Sequence, residues 1–217
     1  MKLKTSHRFW LLVLVGVLIW IATDLYIPRE HSIRQFDPNS VARIETAMWR
    51  SYYNQSRFTL YRQLAGGLRN QFNAPYWRSY GLAFQAARAA FVFKEGSLRA
   101  EYEKALPLLI DYYSDIQRLT KEKFDVQKVA RLELDWWIIH REREKYSYDD
   151  LAKALAQTAG ALYGVSPDKF ADYSQLRAQA MRQCDEAQKR GMIKEADWQR
   201  IEQQLHWAWQ GLYRVVG

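Results

Sequence analysis

The sequence predicts an all-α chain: a single N-terminal transmembrane helix, then a helical domain of about six or seven amphipathic helices. Three observations lead there. An apolar run, FWLLVLVGVLIWIATDLYI, occupies residues 9–27; the rest repeats apolar residues at steps of three and four; and no stretch alternates β-branched residues between hairpin turns.

At about 1.5 Å per residue the run covers roughly 28 Å, close to the ~30 Å hydrocarbon core of a bilayer. A cleaved signal is the alternative, because the uninterrupted part, Phe9 to Ala22, is also long enough for a signal core. Cleavage wants two small residues, yet Ala22 is preceded by Trp20 at that spacing, and no cysteine follows the run to take a lipid. Trp10, Trp20 and Tyr26 lie near the ends, where amphipathic rings prefer the headgroup level. Asp24 lies within a turn of one end and is expected to reach water. The reading is therefore a retained anchor. Lys2, Lys4 and Arg8 crowd the head, against Arg29 and Arg34 after the span. That asymmetry puts the N-terminus in the cytoplasm and the body outside, which in a bacterium means an inner-membrane protein with a periplasmic body. The inverted topology is the alternative. Cys184 stands alone, so no internal disulfide reports on the compartment.

The chain divides into a head and anchor at 1–28, a polar connector at 29–36 and a soluble helical domain at 37–217. Pro28 ends the anchor. Asp37-Pro38 supplies an N-cap and a proline at the first helical position, opening a helix that weakens at Gly66-Gly67. Asn73-Ala-Pro75 restarts the chain into GLAFQAARAAFVF, whose alanines permit close helix approach. Gly96-Ser97 starts a helix to about Thr120 that Pro107 kinks or divides. Asp125 caps the next, Ser147 with Asp150 forms a capping box for another ending at Gly164, and Ser166-Pro167 opens one ending at Gly191. The last helix spans about 194–214.

The chain carries 32 basic and 24 acidic side chains; setting aside Lys2, Lys4, Arg8 and Asp24 leaves 29 and 23 in the body. The signs alternate along helices, as in REREKY, which describes a solvated surface with at most a weak preference for anionic headgroups near the anchor. No basic block or recognition motif points to nucleic acid. Nine Trp and fourteen Tyr, partly in adjacent pairs such as Tyr112-Tyr113 and Trp136-Trp137, fall at core spacing and read as a bulky core with wet edges rather than a cofactor box.

Polar residues on apolar faces are the candidates for chemistry. Glu133 and His140 share a face with Val126, Val129 and Trp137; Glu45 lies between Val41 and Met48; Arg88 interrupts the alanine-rich face. A buried charge needs a partner, so Glu45 or Glu133 is expected to pair with Arg88. Together with His140 these are the candidate catalytic residues of an enzyme or ligand-binding reading, with Glu133 as acid/base and Arg88 as anion clamp. Glu202 and His206, four apart, are the one pair spaced to ligate together, but no Glu-x-x-His accompanies them, so no metal or other cofactor is expected. Cys184 shares a face with Phe170, Tyr173, Met181 and Ala187 and reads as a buried thiol.

No nucleophile elbow, phosphate loop or dinucleotide fingerprint is present. The leading expectation is a membrane-anchored accessory, scaffold or assembly protein. Its partners would be lipid along residues 9–27 and another membrane protein or complex. The contact surface would involve Trp77, Tyr80 or Trp207 and the small-residue helix 81–93. The alternative is a membrane-tethered enzyme or ligand binder using the interhelical Glu, Arg and His.

Overall fold

The computed structural model describes residues 3–27 and 31–217, with side chains from residue 7 onward. Lys2, Pro28 and Arg29, which entered the reading of the anchor, lie outside the described residues, as does the Lys4 side chain. The described residues are helical, without a strand; a single isolated bridge joins His31 to Thr120.

The order is α1 (Leu3–Tyr26), α2 (Pro38–Tyr53), α3 (Arg57–Phe72), α4 (Tyr76–Glu95), the one-turn α5 (Arg99–Tyr102), α6 (Leu106–Leu119), α7 (Val126–Arg141), α8 (Tyr148–Tyr163), α9 (Ala171–Lys189) and α10 (Glu195–Val216). Within the body, α2 packs on α3, α3 on α4, α4 on α6, and so on in turn to α9 on α10; α10 then packs back on α2. The eight long helices thus close into a ring around a shared core. Phe170, Ile33, Leu109, Ile116, Leu134, Ile138, Ile201 and Leu205 are among its fully buried members.

Several starts are set as the sequence suggests. The Asp37 carboxylate accepts from the backbone N–H of Asn39 at 3.0 Å and Ser40 at 3.2 Å, with Pro38 at the first position. Asp125 accepts from Lys128 N–H at 3.0 Å, and Ser147 and Asp150 cap each other's backbone. These bonds satisfy donors that a helix leaves open at its first turn.

The body has one more long helix than the sequence reading allows. What reads as one helix from Pro38 to Gly66 breaks at Asn54–Ser56, where Gln55 takes a positive φ of 56°, and the following helix runs through Gly66-Gly67 to Phe72. The glycines serve packing there: a Cβ on Gly66 would stand 2.8 Å from Ile44 Cδ1, so the missing side chain lets α3 settle onto α2. Pro107 divides the segment after Gly96, as expected, and opens α6 behind a short 3₁₀ turn.

The segment 31–36 is stitched to the body. Ile33 and Phe36 are buried. Glu122 accepts from Ser32 Oγ at 2.5 Å and Ile33 N–H at 3.2 Å. His31 exchanges backbone bonds with Leu119 (2.9 Å) and Lys121 (3.1 Å). The Asn73 amide donates to the carbonyls of Ser32 and Gln35.

α1 stands outside the ring. Residues His7–Tyr26 form one helix long and apolar enough to cross a membrane. Its apolar residues are exposed, from Phe9 at 60% to Ile19 at 59%. In water each such large apolar side chain forfeits ~1.5–3 kcal/mol of transfer free energy.

Candidate functional site

Three arrangements of polar groups stand out, and the first joins α1 to the body. Asp24 is 2% exposed, where the sequence reading has it reaching water. Its carboxylate accepts from the backbone N–H groups of Trp77 at 2.7 Å and Arg78 at 3.3 Å. α4 begins after Pro75 with no side-chain cap of its own, so a residue 53 positions upstream supplies one. A negative charge suits the positive end of the helix dipole as well as its open donors. The Arg78 guanidinium donates to the Ile27 carbonyl at 2.5 Å. Trp20 stacks on Tyr76 at 5.7 Å and meets Trp77 edge-on at 5.5 Å. Backbone and rings therefore fix the last two turns of α1 against the first turn of α4.

The second arrangement runs through the interior of the ring. Glu45 on α2 accepts from the Arg177 guanidinium on α9 at 2.7 and 3.1 Å, and from Trp209 Nε1–H on α10 at 2.6 Å. Arg177 also donates to the Tyr173 hydroxyl at 3.3 Å and lies over the Trp136 ring. Burial alone would lower the Arg177 value; the charge of Glu45 outweighs it and raises it. Glu133 on α7 accepts from the Tyr113 hydroxyl and Trp137 Nε1–H, both at 3.0 Å. Burial first, then the Glu133 charge, pushes the Tyr113 phenol well above its ordinary value.

In the third, Asp185 on α9 accepts from the Tyr148 hydroxyl at 3.0 Å, stands 3.1 Å from His140 Nε2, and is paired with Arg143. Burial raises its carboxyl, but the bonds from His140 and Arg143 reverse this and leave it below the ordinary value. Cys184 beside it is buried, and burial followed by the Asp185 charge pushes its thiol up to about 12. At neutral pH that sulfur stays protonated, a poor nucleophile.

The four polar candidates therefore do not meet in one site. Glu45 is paired with Arg177, Glu133 is bound by Tyr113 and Trp137, and His140 belongs to Asp185. Arg88 is exposed on α4 with its guanidinium 5.8 Å over the Phe84 ring, and the pairing expected of it with Glu45 or Glu133 is not made. The partner is Arg177, and sequence spacing carries no signal for a contact between residues 132 apart. Two open clefts of about 580 and 380 Å3 lie elsewhere: one beside Asp37, Arg69 and Tyr213, the other beside Arg43, Arg50 and Glu202. Neither is lined by Glu45, Arg88, Glu133 or His140.

Of the aromatic candidates, Trp77 and Tyr80 are half-buried. Trp77 packs at the α1 joint, and Tyr80 packs on Tyr61, whose hydroxyl donates to the Tyr80 carbonyl at 2.9 Å. Trp207 is 52% exposed. Within the candidate segment 81–93 the most exposed rings are Phe84 at 57% and Phe91 at 64%, with Leu98 just beyond at 67%. His206 Nδ1 lies 3.2 Å from Asn39 Oδ1, and its Nε2 is 3.8 Å from Glu202. Among the described residues no group of three or more His, Cys, Asp or Glu is placed to hold a metal ion.

This arrangement joins an apolar helix to a body in which Glu45, Glu133 and Asp185 are each bound by neighbouring side chains and line neither cleft. Comparison with family models, with curated proteins and with solved structures found no match for the chain.

Proposed function

We propose that this chain is a single-pass membrane protein whose helical body serves as an accessory, scaffold or assembly subunit of a membrane complex. The observation that carries the reading is α1: it contributes nothing to the core of the ring, yet it is fastened to the body by a buried carboxylate and stacked rings. Such a joint suits a body that must be held in one pose beside the bilayer. The mutual satisfaction of Glu45, Arg177, Glu133 and Asp185 supports a structural use of the interior, since catalytic groups need access to substrate. The face offered to a partner is the outer side of α4, where Phe84, Arg88 and Phe91 lie at helical spacing. In this reading the N-terminus lies in the cytoplasm and the body outside, supported by the denser positive charge of the head, Lys2, Lys4 and Arg8, against Arg29 and Arg34.

The test is extraction of the full-length chain, tagged at its C-terminus, from its native membrane. It is expected to resist carbonate, to be cut by protease from the outer side, and to bring other membrane proteins with it in mild detergent. Replacing Phe84 and Phe91 by Ser is expected to lose those proteins while leaving the melting temperature within a few degrees. A chain that washes off with carbonate, or always migrates alone, overturns the reading.

A further inference from the structure

The length of α1 and the place where the body grips it do not fit a body held clear of the bilayer. Trp10 and Tyr26, the outermost Trp and Tyr of the apolar run, are 16 positions apart, about 24 Å along the helix and already short of the ~30 Å hydrocarbon layer. The body takes hold well inside that span. Trp20, on which Tyr76 stacks, lies six positions before Tyr26, about 9 Å deeper. Holding the body wholly in water would leave Phe9 to Ile19 to cross, roughly 16 Å of helix, about half of what the hydrocarbon requires.

We infer that the end of the body formed by the first turns of α4 is sunk into the lipid headgroup layer, and that the occupant of this surface is the bilayer itself. The inference rests on the membrane reading of α1 given above. Two independent features of the joint suit that depth. Its open backbone groups are matched internally: the Asp24 carboxylate accepts from the N–H groups of Trp77 and Arg78, and the Arg78 guanidinium donates to the Ile27 carbonyl, while Trp77 Nε1 and Arg78 Nε are buried without a partner in the protein. Backbone at the edge of hydrocarbon must be satisfied this way, since water is scarce there. Its exposed rings are of the interfacial kind: Trp20 is 47% exposed, Tyr26 80% and Tyr76 43%, and Trp and Tyr settle at the headgroup level.

The neighbouring α6–α7 loop is charged to match. It is held to His31 by backbone bonds, and extended backbone there turns Glu122 inward onto Ser32 and Ile33 while Lys121 and Lys123 face out. Lys121 and Lys123, on the loop bonded to His31 four positions after Ile27, favour anionic headgroups.

The experiment uses the full chain in vesicles of phosphatidylcholine and phosphatidylglycerol containing brominated lipid. In a Cys184→Ser background, an environment-sensitive fluorophore is placed by Leu14→Cys in α1, Tyr76→Cys at the joint or Lys153→Cys on α8. The expected result is that bromine quenches the labels at 14 and 76 severalfold more than the label at 153. Quenching at 14 but not at 76 overturns the inference and leaves the anchor standing; no quenching at 14 overturns both. Hydroxyl-radical footprinting of the unaltered chain guards against a label that disturbs the joint. Tyr76 and Tyr146 are similarly exposed, 43% and 37%, so a body in water oxidises them alike. A sunken body shields Tyr76 in vesicles and leaves Tyr146 reactive, and equal oxidation overturns the inference.

Discussion

Glu45 and Arg177 occupy half-apolar helix faces 132 positions apart, and each makes the other tolerable in the core. A carboxylate left there without its cation keeps the full desolvation cost. Arg177→Met is therefore expected to destabilise the body by about 3–5 kcal/mol, read as a shift in the urea midpoint. Adding Glu45→Gln should return much of that loss, because the amide oxygen still accepts from Trp209 and carries no charge. Asp185 gives a pH signature. Its carboxyl sits below the ordinary value of 3.8 in the folded chain, so its contribution is complete above that value and fades as pH falls through the folded one. Urea midpoints are expected to drop on going from neutral pH to about pH 3, and Asp185→Asn should lower the neutral midpoint and flatten the drop.

At the scale of elements, the starts of α2, α7 and α8 were legible because a cap and its helix are neighbours in sequence: Asp37-Pro38, Asp125, and Ser147 with Asp150. The break at Asn54–Ser56 was not, since Gln55 takes a conformation usual for Gly or Asn and carries no turn signature. Gly66-Gly67 misled for the opposite reason, reading as a helix end where the residues serve a close crossing. The Glu45–Arg177 and Asp24–α4 contacts were illegible because each depends on which distant helices become neighbours. Gly160 shows how tightly the chain folds back on itself after α8. A Cβ there would stand 2.8 Å from the Val165 carbonyl oxygen and 3.0 Å from Pro167, in the turn leaving α8. The nearest obstacle is backbone, which moves as a unit. Gly160→Ala is expected to cost about 1–3 kcal/mol despite the better helix propensity of alanine, measured as a lower melting temperature of the full chain.

For the molecule as a whole, the decisive relation is between α1 and the ring. Asp24→Ala removes the acceptor from Trp77 and Arg78 and is expected to cost about 1 kcal/mol, as lost caps do. The more telling readout is local. Amides at the start of α4 should exchange with solvent faster, while the ring, whose own contacts are untouched, should melt within a few degrees of the parent.

The ring closes between its first and last members, α2 and α10, which begin about 157 residues apart. A nascent chain therefore cannot close the ring until α10 has been made, whereas α1 leaves the ribosome before every helix of the ring. On the membrane reading proposed above, insertion precedes closure, and the body matures beside a segment already in lipid.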